Sequence, residues 1–190
     1  MNSLSAVILA GGQGQRMGGL DKGLVPFRDR PMIEHSVELV RPYVQALLIS
    51  CNRNEPRYMA LADKTVVDAS DEYLGPLAGI LAGLTACDAD QLLVLPCDTP
   101  LLSKVVLDRL LDTAREYPDH ICILAEGDKF HPLHAVIPVS LQADLQRFME
   151  GKQRAVQRWM RAHPYKLVDI SDLADELYNL NTPEELFLRE

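Results

Sequence analysis

Between Leu9 and Lys22 the chain reads LAGGQGQRMGGLDK, and six of its eleven glycines fall between Gly11 and Gly23. Glycine lets a backbone turn sharply and bring successive N–H groups against an anion, and the cations Arg16 and Lys22 can neutralise phosphate charge. Gly11, Gly12 and Gly14 are thus candidates for a phosphate-cradling backbone, with Leu9 and Ala10 leading in from an apolar run. Two common phosphate fingerprints are not met. A dinucleotide loop needs a third glycine where Met17 stands, and a P-loop needs Ser or Thr after the lysine, where Lys22 is followed by Gly23. The alternative is a surface loop without a ligand; the position directly after an apolar run, plus two cations, favours the nucleotide loop.

A second candidate lies in Pro96-Cys-Asp-Thr-Pro100. Asp98 follows the apolar run Leu92–Leu95, at the edge where a bound triphosphate would lie. Mg2+ commonly takes only one or two protein carboxylates, with phosphate oxygens and water completing its shell, so a single aspartate suffices. The same Asp-x-Pro context suits a turn or cap aspartate equally well.

The elements that must hold these residues follow from hydrophobic pattern. Ser5–Ala10, Ala46–Ser50, Thr65–Val67, Gln91–Leu95, Ile121–Ala125 and His134–Pro138 read as short apolar strands, with a further strand at Lys166–Asp169. Helical spacing recurs from Pro31 (Ile33, Val37, Val40), from Pro76 to about Ala86, from Ser103 to Tyr117, at Leu141–Met149 and at Ala155–Ala162, and a last helix starts at Pro183. Apolar strands alternating with amphipathic helices predict a mainly parallel sheet covered on both faces, an α/β three-layer sandwich. In such sheets ligands collect beyond the carboxyl ends of strands where strand order reverses. Val156, Trp159 and Met160 read as a core stripe. Lys152, Arg154, Arg158 and Arg161 read either as a solvated face or as an anchor for an anionic group or partner.

The 190 residues, 47% of them hydrophobic, suffice for one sizeable core, and one domain spanning 1–190 is expected. A net charge of −8, negative even with all five histidines ionised, disfavours nucleic-acid and anionic-membrane binding. The first apolar run is too short for a signal peptide and no later run could span a bilayer, so a soluble, cytoplasmic protein is expected. Cysteines at 51, 87, 97 and 122 form no CxxC or zinc-type spacing and read as reduced core thiols.

The loop LAGGQGQRMGGLDK resembles the signature of nucleotidyltransferases that handle the molybdenum cofactor, and its double-glycine form is most similar to molybdenum cofactor guanylyltransferases. Pro76-Leu-Ala-Gly79, Pro96-Cys-Asp-Thr-Pro100, His131-Pro132 and Asn179-Leu-Asn-Thr-Pro-Glu-Glu-Leu186 resemble that family's later motifs in the same order, so the likeness covers essentially the whole chain. It implies a Rossmann-like nucleotidyltransferase fold, with an N-terminal nucleotide-binding part and a C-terminal pterin-binding part. It implies a nucleotide site of Leu9, Ala10, Gly11, Gly12, Gly14, Lys22, Ser50, Asn52, Asp68, Pro76, Gly79 and Asp98, with Asp98 binding Mg2+ and Arg16, Lys22 and Asp98 catalytic. A carboxylate such as Asp68 is a suitable acceptor for the N1–H and amine of guanine, although a plain loop-start aspartate also fits. Gly75–Gly79 could wall the base or simply permit close helix packing. Asn179, Asn181 and His131 would lie near the pterin. One departure stands out: Ser50 occupies the place of a family asparagine, with Asn52 two residues on as a candidate to compensate.

The resemblance further implies transfer of GMP from GTP to the phosphate of molybdenum-bearing molybdopterin, releasing pyrophosphate. A phosphate nucleophile is already ionised at neutral pH, so no general base is needed and positioning and charge carry the reaction. Molybdopterin-synthesis proteins and recipient apo-molybdoenzymes are the implied protein partners. The rivals are a molybdopterin cytidylyltransferase, a sugar-phosphate nucleotidyltransferase, and a non-catalytic carrier of nucleotide or pterin. The intact Arg16, Lys22 and Asp98 disfavour the carrier, which needs no metal carboxylate. A nicotinamide dehydrogenase is the weakest rival.

Overall fold

A computed structural model describes residues 2–11, 20–67, 75–181 and 185. Gly12, Gly14, Arg16, Asp68 and most of the helix expected at Pro183 lie outside these described residues.

The first strand, β1 (Leu4–Leu9), is buried along its centre and has parallel neighbours on both sides. On one side lie β4 (Ala46–Ser50) and then β5 (Lys64–Val66); on the other lies β6 (Gln91–Pro96). The chain leaves β1 through α1 (Met32–Val40) to β4, passes α2 (Glu55–Met59) to β5, and returns across the sheet through α3 (Pro76–Ala86) to β6. Strand order therefore reverses at β1, and the crevice beyond the carboxyl ends of β1 and β6 is the site such a sheet offers a ligand. Before α1 a two-stranded ribbon, β2 (Pro26–Phe27) with β3 (Arg30–Pro31), follows a 3-10 turn at Lys22–Leu24.

The sheet continues with α4 (Lys104–Glu116), β7 (Ile121–Glu126), β8 (Lys129–Pro138), α5 (Gln142–Glu150), α6 (Val156–Met160) and β9 (Tyr165–Asp169), giving the order β5-β4-β1-β6-β8-β7-β9. All pairings are parallel except those of β8, which runs antiparallel to both β6 and β7. The sequence placed this strand only at His134–Pro138; it begins at Lys129 and forms a hairpin with β7, which needs no crossover helix. Its ladder is interrupted. Leu124 pairs with His131 and Ile123 with Ala135, so Pro132, Leu133 and His134 bulge out of the register. Proline has no N–H to give the ladder, and the bulge turns the two residues after it toward the carboxyl end of β6. His131-Pro132 thus lies within a strand.

Helices cover both faces, as three layers require. One face packs Ile8, Ile49 and Leu95 against Ile33 and Val40 of α1 and Val106, Leu107 and Leu110 of α4. The other packs Val7, Leu48 and Val94 against Leu77, Ile80 and Leu84 of α3, with Trp159 and Met160 of α6 in the same core. Each fully buried aliphatic side chain contributes about 1.5–3 kcal/mol relative to exposure. The expected core stripe of Val156, Trp159 and Met160 is buried, and the indole N–H of Trp159 donates to Asp144 at 3.0 Å. Cys51, Cys97 and Cys122 are buried thiols and Cys87 is half-buried; none is paired. Of the basic cluster, Arg161 lies over the Phe130 ring, 4.4 Å from its centroid, and Arg158 donates to Gln153 at 3.1 Å.

Helix ends follow local chemistry. The Ser103 hydroxyl accepts from the Val106 N–H to cap α4, and Pro76 occupies the first turn of α3. Pro31 stands one place earlier than expected, ending β3 and preceding α1. Among the described residues no helix is long and apolar enough to cross a membrane.

Candidate active site

The carboxyl ends of three neighbouring strands make the floor of a cleft of about 170 Å3. Leu9 sits level with Ser50 on one side and Pro96 on the other. Pairing continues one residue beyond the strands: the Ala10 N–H donates to Ser50 O at 2.8 Å and the Cys97 N–H to Leu9 O at 3.2 Å. These bonds carry Ala10, Gly11 and Cys97 in register to the rim, where Asp98 projects.

The walls come from elsewhere. Pro76 and Gly79 present the first turn of α3, Lys22 enters from the 3-10 turn, and Leu133 comes from the bulge of β8. Gly79 makes the helix's approach feasible: a Cβ there would lie 2.7 Å from Ser50 Oγ and 2.8 Å from a Leu9 methyl. The close-packing reading of Gly79 is therefore realised, and by the same geometry the residue lines the cleft.

At the mouth four polar side chains from three distant segments converge. Lys22 Nζ donates to Asp98 Oδ2 in an ion pair and to Asn181 Oδ1 at 2.6 Å. Asn179 Nδ2 donates to both Asp98 oxygens, at 3.3 and 3.2 Å, and the Leu180 N–H donates to the Asp98 carbonyl at 3.0 Å. Asn181 Nδ2 in turn donates to the carbonyl of Asn179 at 3.1 Å. The Lys22 and Asp98 side chains are 21% and 13% exposed, mostly desolvated yet open to the cleft. Charge stabilisation is stronger in such a place than in bulk water.

The thiol of Cys97, next to Asp98, is driven upward by burial first and by the Asp98 charge second, so it stays protonated. Behind Asp98, the buried His134 has its imidazole pushed down to about 3, by burial first and then by neighbouring His131, and remains neutral. Its Nε2 is 3.0 Å from Thr99 Oγ1. His131 is also held below the usual histidine range, chiefly by burial, with Lys129 adding to the effect and Glu126 opposing it.

Of the residues singled out in the sequence, the cleft gathers Leu9, Ala10, Gly11, Lys22, Ser50, Pro76, Gly79 and Asp98. Asn52 lies beside it, its Nδ2 3.6 Å from where a Gly11 Cβ would be. Asn179 and Asn181, expected near a second substrate, touch the Lys22–Asp98 pair directly, whereas His131 stands beside His134 and does not line the cleft. Leu133 and the Thr99–His134 pair were missed; Pro132 was the available sign that the strand is interrupted there. The donor set at the mouth suits a hard cation that keeps most of its shell for phosphate and water: Asp98 supplies one carboxylate, and no cluster of three His, Cys, Asp or Glu side chains occurs among the described residues.

The sequence model of the MobA-like NTP transferase domain matches residues 6–167. A molybdenum cofactor guanylyltransferase of Shewanella halifaxensis is 39% identical over 182 residues, covering 96% of this chain and 91% of that protein. One from Ectopseudomonas mendocina is 43% identical, covering 96% and 89%. This chain belongs to the molybdenum cofactor guanylyltransferase family. As a member it is a nucleotidyltransferase of molybdenum cofactor biosynthesis. Among solved structures, the molybdopterin-guanine dinucleotide biosynthesis protein A of Archaeoglobus fulgidus superposes with a TM-score of 0.81 at 22% identity, over 98% of this chain and 96% of that one, and shares the fold. Within the guanylyltransferase family the small hydroxyl of Ser50 is compatible with α3 lying so close: it is 2% exposed, directly beneath Gly79.

Proposed function

We propose that the chain transfers GMP from GTP to the terminal phosphate of molybdenum-bearing molybdopterin, yielding the guanine dinucleotide cofactor and pyrophosphate. The observation that carries this reading is the Lys22–Asp98 pair at the switch point of a guanylyltransferase-family fold, with two asparagines of the C-terminal segment bound to it. The N-terminal part, through β6, forms the nucleotide side of one domain, and the C-terminal part forms the pterin side.

An acceptor phosphate oxygen attacks the α-phosphorus of GTP; the new P–O bond forms as the Pα–O–Pβ bond breaks, and the electron pair leaves with pyrophosphate. No proton has to move, which agrees with a site whose nearby Cys97 and His134 are held neutral and out of use. The N–H groups of the glycine segment beginning at Gly11 cradle phosphate, and Lys22 and Arg16 offset its charge. Lys22, already fixed by Asp98 and Asn181, loses little freedom when it turns to the substrate. Asp98 would hold Mg2+, with substrate oxygens and water as the remaining ligands, and the ion would supply neutralisation of the triphosphate. Asp68, Ser50, Asn52, Pro76 and Gly79 form the guanosine side. Asn179 and Asn181, with His131 farther out, face the acceptor. Recipient apo-molybdoenzymes would consume the product.

The test has two parts. GTP, CTP and ATP are compared for the rise in melting temperature each causes with and without Mg2+, because a ligand that binds only the native state stabilises it by mass action. Molybdenum-molybdopterin is then supplied with each nucleotide, and dinucleotide and pyrophosphate are measured. Transfer from GTP, enhanced by Mg2+, is the expected result; transfer from CTP alone, or binding without transfer, would reject the proposal.

A further inference from the structure

The residue before Lys22 is an aspartate whose side chain is only 6% exposed, an unusual place for a carboxylate outside a catalytic pair. Its partners all come from the segment that follows β4. Tyr58 Oη donates to Asp21 Oδ1, Asn54 Nδ2 donates to Oδ2 at 2.8 Å, and Arg53 Nε lies 3.6 Å from Oδ2. Arg53 Nη2 also donates to the carbonyl of Leu20 at 2.7 Å. The Tyr58 ring is fully buried in the core, and burial, reinforced by the Asp21 hydrogen bond, drives its hydroxyl upward, so it stays a donor.

The backbone packing points the same way. A Cβ on Gly23 would lie 2.8 Å from Tyr58 Oη, so the turn after Lys22 is seated directly on the tyrosine. Asn54 adopts a left-handed conformation, φ 54° and ψ 28°, at the start of α2, a conformation asparagine tolerates better than most residues. The Leu24 N–H closes the turn by donating to Asp21 O at 3.0 Å. Lys22 is therefore held between two fixed points: Asp21 is clamped on one side, and the ammonium meets Asp98 and Asn181 on the other.

We propose that Asp21, through Tyr58, Asn54 and Arg53, is a positioning residue that fixes the direction in which Lys22 is presented to Asp98 and to substrate phosphate. The clamp ties the end of the glycine segment to the β4–α2 connection, on the opposite side of β1 from Asp98. The catalytic consequence rests on the transfer reaction proposed above; the geometric claim does not.

Tyr58→Phe keeps the buried ring and deletes one donor. Asp21→Asn keeps the size but turns an acceptor toward the Asn54 amide and Arg53 into a donor. Either variant is expected to lower kcat about tenfold or more, the effect of losing one hydrogen bond to a charged group. The KM for GTP should stay within about threefold, since such a loss acts on the reacting geometry and not on uniform binding. On a Lys22→Ala background the same substitutions should change kcat by less than about twofold, because residues acting through one another are non-additive. Tyr43→Phe, which removes a comparable bond to Asp108 outside the clamp, is the control and should leave kcat unchanged. The second readout needs no activity. Labelling by an amine-reactive acetyl ester, followed by peptide mass spectrometry, should speed up severalfold at Lys22 in both variants and at no other lysine. A wild-type protein that does not transfer GMP would overturn the reaction assigned above while labelling still reads the clamp. Unchanged Lys22 labelling, or an equal loss of kcat with and without Lys22, would overturn the clamp.

Discussion

Lys22 and Asp98, 76 positions apart, form an ion pair at the one edge of the sheet where neighbouring crossovers diverge. Asp98 arrives there because β6 is fully buried and ends level with β1. Lys22 arrives because a short turn seats its backbone on Tyr58 and Cys97, with Gly23 allowing the approach. A third segment closes the arrangement, since Asn179 and Asn181 bond to the two members of the pair separately. Substrate charge entering this mouth meets groups already oriented, so little reorganisation remains for the reaction step.

Lys22→Ala should lower kcat for GMP transfer by about 10²–10³, the scale of one lost preorganised donor, or roughly 2–4 kcal/mol of transition-state stabilisation. The melting temperature should change far less than turnover, because Asp98 keeps both hydrogen bonds from Asn179 and its opening to the cleft when the ammonium is removed. Steady-state kinetics beside a thermal melt checks both halves. Near-wild-type turnover would remove Lys22 from the reaction.

Asp98→Asn keeps the side chain's size and its capacity to accept from Asn179 but deletes the charge. Mg2+ should then no longer add to the stabilisation by GTP, and transfer should fall by at least about a hundredfold, since a bound metal supplies several kcal/mol of charge stabilisation. Removing Mg2+ with a chelator should bring the unaltered protein to a similar rate. An Asp98→Asn variant whose response to Mg2+ matches the original would show that another group holds the ion.

The parts of the fold legible in the sequence are those governed by local pattern. Ala46–Ser50 has the limits expected of a buried parallel strand, and Pro76 and Ser103 mark α3 and α4 because their chemistry acts within one turn. What escaped is governed by distance or brevity. The five residues of α2 and the two-residue strands β2 and β3 are too short to display a period. The direction of β8 was hidden by its bulge, where Pro132 breaks the alternation. The site was legible as separate strand-end residues. Its bonds join positions 37, 76 and 159 apart, and only the topology decides which of them meet. Asn179 and Asn181 were noticed through family resemblance alone; nothing in their neighbourhood announces a contact with Lys22 or Asp98.

Gly79→Ala tests how closely α3 must lie on the sheet. The added methyl would meet Ser50 Oγ and a Leu9 methyl at less than 3 Å, so the helix or both side chains must shift. Overpacking of this kind costs about 1–3 kcal/mol, and because the shift opens the cleft wall the KM for GTP should rise as well. Ser50→Ala removes the nearest obstructing atom. Adding it to Gly79→Ala should recover part of the lost stability in a denaturant melt, whereas simple additivity of the two changes would show that contact with Ser50 is not the cause.

His134 provides a pH prediction whose sign can be worked out. Its folded pKa is pushed down to about 3, below an unfolded value near 6.5, so as pH falls between these values the unfolded chain takes up a proton that the folded chain refuses. Unfolding thus becomes easier on acidification: stability is complete above about pH 6.5 and declines toward pH 3, with a limiting slope of about 1.4 kcal/mol per pH unit from this group. Buried carboxylate effects enter below about pH 5, so the window from 6.5 to 5 belongs to the histidines; His131, also held below the usual range, contributes in both proteins, and the difference between the original protein and a His134 variant reads His134. His134→Gln retains a partner for Thr99 but does not titrate. Denaturant melts across that window should show a clear fall in stability for the original protein and a flatter profile for the variant; parallel profiles would mean that His134 takes up its proton without resistance.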